Sequence, residues 1–303
     1  MEMLRINGLH KRFGDKEVLK GLELAVPEHS VFGFVGKNGA GKTTTMKTVL
    51  GLMKQDRGEI FVAGEPVCYG QTKTNRHIGY LPDVPEFYPF MTAPEYLSFC
   101  AELSGMDRKT ARRRSGELLE LVGLAGERHR VRGFSRGMKQ RLGLAQALLG
   151  EPKLLICDEP TSALDPVGRR ELLELLLAVR EKTTVVFSTH ILSDVERICT
   201  DVAFLDGGVV TVQGTLQQVK SAFRTDGHMI EPEGEDGVRT LLALFPKMER
   251  KEGMTLVFRE GDHPVHEVLK AVSDRRLPLV RLERLEPSLE DLFMEVVDGW
   301  KTP

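Results

Sequence analysis

The segment Gly36-Lys37-Asn38-Gly39-Ala40-Gly41-Lys42-Thr43-Thr44 restricts what this chain can fold into more than any other stretch. It satisfies G-x-x-x-x-G-K-[ST], and the apolar run Val31-Phe32-Gly33-Phe34-Val35 leads directly into it. A helix-compatible segment, 44–52, follows. Strand, glycine loop and helix in that order make a phosphate site rather than a plain turn. The glycines let successive backbone N–H groups turn inward as an anion-binding concavity at a helix N-terminus. Lys42 is then placed to reach the β- and γ-phosphates, and the Thr43 hydroxyl to ligand Mg²⁺. The chain is expected to bind a nucleoside triphosphate within an α/β fold.

With 303 residues the chain is long enough for two domains. Its 41% hydrophobic and 28% charged residues describe an ordinary globular protein. A net charge of −2 argues against a general nucleic-acid role. The charge is uneven, however: residues 223–303 carry 12 Lys and Arg against 17 Asp and Glu, a net of −5, and the remainder is +3. Cys68, Cys100, Cys157 and Cys199 are scattered without C-x-x-C spacing, so reduced thiols are expected rather than a metal site. No apolar run reaches the roughly 18 residues of a membrane span. Met1-Glu2-Met3-Leu4-Arg5 lacks the apolar core of a signal peptide, so a cytoplasmic chain is expected, with any spanning helices supplied by another polypeptide.

Short strands are expected over 3–7, 18–26, 58–62 and 78–81. Between the first two, Lys11-Arg12-Phe13-Gly14 offers an aromatic face to a base ahead of the phosphate loop, or simply a surface aromatic. Thr92-Ala93-Pro94-Glu95 reads as a capped helix start, with helices near 94–104 and 109–122. The Arg108, Lys109, Arg112, Arg113 and Arg114 cluster reads as a solvated face. Ser135 is a natural N-cap for an amphipathic helix reaching about Leu149. The run Leu154-Leu155-Ile156-Cys157 ends in Asp158 and Glu159, two carboxylates at the end of a buried strand. Asp158 is suited to hold a metal through its waters, and Glu159 to face an attacking water. The pattern Thr184 to Thr189 is a second buried strand, with His190 at its end as a candidate donor to a γ-phosphate. A hairpin around Asp206-Gly207-Gly208 closes this part of the chain.

In this order these residues strongly resemble the ATP-binding subunit of an ABC transporter, over about residues 3–222. GKNGAGKTT matches Walker A, LLICDE matches Walker B with its glutamate, and FSRGMKQ matches the signature. SALD resembles the D-loop, and STH the switch histidine. The resemblance implies a P-loop NTPase core with an antiparallel β subdomain and a helical subdomain at 84–150. It implies two subunits head to tail on a separate transmembrane permease, burying two ATP molecules with Mg²⁺. Gly36, Asn38, Gly39, Ala40, Gly41, Lys42, Thr43 and Thr44 would hold the nucleotide of their own subunit. Phe13 would stack on its adenine. Ser135, Gly137 and Asp165 would meet the nucleotide across the interface. Glu159, His190 and Lys42 would be catalytic, and Thr43, Asp83 and Asp158 would face the metal.

Two positions depart from the family pattern. Asp83 stands where the Q-loop usually carries glutamine, and an ionised Asp accepts hydrogen bonds without donating any. Arg136 replaces the first glycine of the signature core. The acidic tail reads as strand 228–231, helix 235–245, strands 247–251 and 255–259, helix 264–275 and strand 279–284. That is a small α+β, ferredoxin-like βαββαβ order. Ser288 with Asp291 fits a capping box on a terminal helix, and His263 with His266 lacks a third metal ligand. This tail looks like the C-terminal extension of bacterial drug- and antibiotic-exporter ATPases. The expected function is an exporter ATPase at the inner face of the membrane. The runner-up class is a soluble ABC-type ATPase acting on ribosomes or DNA, and an importer ATPase is the alternative within transport. A small-molecule kinase leaves the signature and switch histidine unexplained.

Overall fold

The computed structural model describes residues 2–71, 73–222, 226–285 and 288–297. The chain divides into two compact units, Met1–Val219 and Lys220–Pro303. Phe223, where the sequence reading starts its second domain, lies outside the described residues.

The first unit opens with β1 (Glu2–Phe13) and β2 (Lys16–Pro27), followed by β3 (Val31–Val35), α1 (Lys42–Val49), β4 (Arg57–Val62), β5 (Glu65–Pro66) and β6 (Ile78–Leu81). Three helices come next: α2 (Ala93–Leu103), α3 (Arg108–Leu121) and α4 (Arg136–Ala147). The unit continues through β7 (Leu154–Asp158), α5 (Pro166–Val179), β8 (Thr184–Thr189), α6 (Leu192–Ile198), β9 (Asp201–Asp206) and β10 (Val209–Thr215), and the division falls within α7 (Leu216–Ala222). Two sheets form, one of order β2-β1-β4-β5 and one of order β10-β9-β3-β8-β7-β6. In the second, β3 pairs parallel with β8 and β9, and β7 parallel with β6 and β8. Every residue of β3, β7 and β8 is buried, as expected for parallel strands covered on both faces. One core joins the two sheets, with Phe32 and Phe34 of β3 and Met46 of α1 packed among Leu4, Leu19, Leu22 and Ile60.

Both opening strands, 12 residues each, are longer than the expected 3–7 and 18–26, the first more than twice as long. They form one hairpin in register from Glu2↔Pro27 to Phe13↔Lys16, and three bulges between Ile6 and Arg12 let charged residues continue it. Phe13 is thus the last residue of β1 rather than part of a loop. The β9–β10 hairpin turns on Gly207 and Gly208, with φ of 54° and 90°, as a two-residue primed turn demands. The caps at Thr92, Ser135 and Ser288 form as their sequences imply. Glu95 returns to the Thr92 N–H at 2.8 Å, the Ser135 hydroxyl accepts from the Met138 N–H at 3.2 Å, and Asp291 accepts from the Ser288 hydroxyl at 2.7 Å.

The second unit contains β11 (Gly227–Pro232), α8 (Glu235–Leu244), β12 (Glu249–Arg250), β13 (Leu256–Arg259), α9 (Val265–Asp274), β14 (Leu279–Arg284) and α10 (Leu289–Val297). Its antiparallel sheet runs β12-β13-β11-β14, the interleaved order of a βαββαβ fold. Ile230, Leu256 and Phe258 from the sheet pack on Val238, Leu241, Val268 and Val272 of the helices. His263 is fastened within this unit, accepting from the Lys247 N–H at 3.3 Å and lying edge-on to Phe245. Among the described residues no group of three or more His, Cys, Asp or Glu is arranged to hold a metal.

Candidate nucleotide site

An open cleft of about 510 Å³ lies at the carboxyl ends of β3, β7 and β8. Ligands of open parallel sheets bind at this edge. The cleft is lined by Val18, Asn38, Gly39, Gly41, Lys42, Thr43, Thr44, Asp83, Glu159, Ser162 and His190. Residues separated by up to 172 positions in sequence therefore face one volume.

The glycine loop supplies its floor. Gly39 and Gly41 have φ of 83° and 115°, which side-chain-bearing residues avoid. A Cβ on Gly41 would lie 2.7 Å from a Leu19 methyl. Gly41 also stands at the N-cap of α1, which has no side-chain cap and no acid in its first turn. The first N–H groups of this helix and its positive dipole end are thus offered to an anion.

Lys42 is 5% exposed, and its ammonium is fully engaged. It donates to the Gly36 and Lys37 carbonyls at 2.6 and 3.3 Å and pairs with Glu159 Oε1 at 2.9 Å. The other oxygen of Glu159, Oε2, lies 2.6 Å from His190 Nδ1. One carboxylate therefore links the P-loop lysine to the histidine. Glu159 holds a left-handed backbone, φ 48°, which costs on the order of 1 kcal/mol for a residue with a side chain. Its N–H is held by Ser188, through the carbonyl at 3.1 Å and the hydroxyl at 3.0 Å. The Ser188 hydroxyl in turn donates to Asp158 Oδ1 at 2.6 Å. Asp158 is 3% exposed at the end of β7, beside the cleft and outside its lining.

Asp83 follows β6 and lines the same cleft. Its Oδ1 accepts from the Ser162 hydroxyl at 2.9 Å and pairs with Arg136 at 3.3 Å, while its carbonyl accepts from Gln140 Nε2 at 2.5 Å. The two departures from the family pattern thus meet each other.

Other sequence candidates lie elsewhere. Phe13 is 47% exposed with the Lys11 ammonium 5.4 Å from its ring centre, and Val18 rather than Phe13 lines the cleft from this hairpin. Ser135 and Gly137 begin α4 and Asp165 caps α5, accepting from the Gly168 N–H at 2.9 Å. None of these three lines the cleft. Val18, Ser162, Ser188 and Gln140 were missed. Ser162 and Ser188 sit two or three residues from predicted acids or the histidine, a usable signal, whereas Val18 carries none.

A strand-loop-helix phosphate cradle facing paired carboxylates and a histidine defines the class as a P-loop nucleotide-binding protein. Comparison with known proteins narrows it. Residues 19–162 match the family described as "ABC transporter", and 214–297 match "ATP-binding protein DrrA1-3-like, C-terminal domain". The chain is 39% identical to the ABC transporter ATP-binding protein YxlF of Bacillus subtilis (strain 168), covering 97% of this chain and 99% of that one. It is 33% identical to the bacitracin transport ATP-binding protein BcrA of Bacillus licheniformis, covering 98% of each. A solved structure, described as the ATP binding subunit of an ABC transporter, aligns at TM-score 0.65 with 33% identity, over 73% of this chain and 93% of that one. The chain belongs to the ATP-binding proteins of ABC transporters, carries a DrrA-like C-terminal domain, and is an ATPase.

Proposed function

We propose that this chain is the ATP-hydrolysing subunit of a membrane exporter, acting as a head-to-tail homodimer on a separate transmembrane permease at the inner face of the membrane. The observation that carries the reading is the Lys42–Glu159–His190 chain across the cleft, because it joins the phosphate-binding cation to a candidate base. The bacitracin transport relative and the DrrA-like domain support export over import. Among the described residues no helix is long and apolar enough to cross a membrane, in keeping with a separate permease. Ser135, Gly137 and Asp165 stand outside the cleft of their own chain, which favours their use by a second copy.

A γ-phosphate entering the loop would exchange with Glu159 for the Lys42 ammonium. Glu159, still oriented by His190, would then accept a proton from the attacking water as the bond to the leaving ADP oxygen breaks. Lys42 and the N–H groups of the loop would carry the charge that develops on the phosphoryl oxygens. His190 already meets Glu159 through Nδ1, so donation from its Nε2 calls for the imidazolium form. The Thr43 hydroxyl and the carboxylates of Asp158 and Asp83 are hard oxygen donors suited to Mg²⁺. They would hold it together with phosphate oxygens and water. When bound, the ion neutralises phosphate charge.

The test is a pull-down of tagged Glu159→Gln held in Mg-ATP from detergent-solubilised membranes. Recovery of an integral membrane protein at about one-to-one, with the tagged chain dimeric, is expected. Recovery of ribosomes or DNA without a membrane partner would overturn the transport reading.

A further inference from the structure

We propose that Arg136 is a positioning residue for Asp83, holding its carboxylate on the α4 side of the cleft until the metal of a bound nucleotide draws it away. The inference rests on the nucleotide-site reading of the cleft. Asp83 is held separately at its backbone and at its carboxylate, where the exposed Ser162 hydroxyl also donates to Oδ1 at 2.9 Å. Its backbone carbonyl is fixed by Gln140, a side chain 1% exposed in the second turn of α4. Its side chain is held by Arg136 from the first turn of α4, in a single contact at 3.3 Å with both groups about half exposed. Water reaches that ion pair, so it is weak and exchangeable, whereas the buried amide contact is not. The carboxylate can therefore swing while its backbone stays pinned.

The direction of the swing follows from charge. Asp83 lines the cleft with Thr43 and Glu159, where a Mg²⁺-phosphate group would present a divalent cation to any free carboxylate oxygen. A monovalent, solvent-screened guanidinium and a divalent cation then compete for one anion. The hydroxyl of Ser162, between Asp158–Glu159 and α5, donates to the same Oδ1 at 2.9 Å. Movement of Asp83 is thus felt at once by α4 and by the turn leading to Asp165. A glutamine at 83 would form no ion pair with Arg136, and a glycine at 136 would leave the acid without a charged partner, held only by the Ser162 hydroxyl. The two unusual residues make chemical sense as a pair.

The test is the ratio of dissociation constants for a trinitrophenyl-ATP probe measured in EDTA and in MgCl₂, which reports how strongly metal assists binding. It is measured for the full chain, Arg136→Ala, Asp83→Asn and the double variant, each checked for a native thermal transition. Freeing Asp83 in Arg136→Ala raises the ratio about three-fold, the scale of a half-exposed ion pair. The same change made in the Asp83→Asn background leaves the ratio unaltered, and Arg136→Lys stays closer to the full chain than Arg136→Ala. Equal effects of Arg136→Ala in both backgrounds would overturn the inference while leaving the nucleotide site intact. A full chain that binds the probe under neither condition would remove the site reading itself, and the inference with it.

Discussion

Glu159→Gln is predicted to bind ATP more tightly than the unaltered chain, before any effect on hydrolysis. The Lys42 ammonium is 5% exposed and Glu159 14%, and they meet at 2.9 Å. A cation so little hydrated depends on its partners, here two carbonyls and one carboxylate. The glutamine keeps the shape and one acceptor oxygen but removes the charge. Converting a charge-assisted contact to a neutral one costs about 1–2 kcal/mol. That cost falls on the chain without ligand, because a phosphate in the loop restores an anion to Lys42. Affinity should therefore rise about 5- to 30-fold. Fluorescence titration in EDTA at low protein concentration measures it without hydrolysis, and size-exclusion chromatography checks that the chain is monomeric. The ligand-free chain should also melt about 2–8 °C lower, at the scale of a unit of this size. An unchanged dissociation constant together with an unchanged melting temperature would refute the exchange argument.

Lys42→Ala should weaken ATP binding about 10- to 100-fold, the value of one or two hydrogen bonds to a charged group, and equal affinity in calorimetry would contradict the phosphate-cradle reading. Ser188→Ala leaves Asp158, 3% exposed, without its 2.6 Å donor, and should cost about 1.5–3 kcal/mol in urea unfolding. Steady-state phosphate release should fall with it, because the left-handed Glu159 loses one of its two anchors. A loss under about 0.5 kcal/mol would show that the serine is not holding the acid. Burial pushes the thiols of Cys157, Cys199 and, less deeply, Cys100 upward, and Cys68 is exposed. Alkylation followed by peptide mass mapping should therefore modify Cys68 first and reach Cys157 and Cys199 only on unfolding.

The fold was legible wherever burial is two-sided or turn chemistry is local. Val31–Val35, Leu154–Cys157 and Thr184–Phe187 are unbroken apolar or β-branched runs because both faces of their strands are covered. Ser135, Thr92 and Ser288 announced helix starts through side chains that bond within three residues. The hairpin of β1 and β2 was under-read because its outer half is stabilised by pairing across strands, with bulges that break the alternation of period two. Strand β12 was over-read for the converse reason. Of the predicted 247–251 only Glu249–Arg250 pairs, since the segment sits at the sheet edge beside β13 alone.

The site divides along the same physical line. Residues whose role follows from backbone geometry, such as Gly39, Gly41 and Lys42, could be named from one contiguous motif, because loop and helix N-terminus are consecutive in the chain. Glu159 and His190 could be named one at a time, but not the 2.6 Å contact between them, which depends on β7 and β8 being sheet neighbours in register Asp158↔Ser188. Asp83 and Arg136 show the limit most sharply. Each stood out alone as a departure, and 53 residues separate them. Only the packing of α4 against β6 turns an unexplained acid and an unexplained base into a charge pair at the mouth of the cleft. A pairing of that kind carries no local signal, because neither residue alters the propensity, cap or turn of its own segment. Its two members constrain each other through space, so one sequence reveals two anomalies and the fold reveals a single feature.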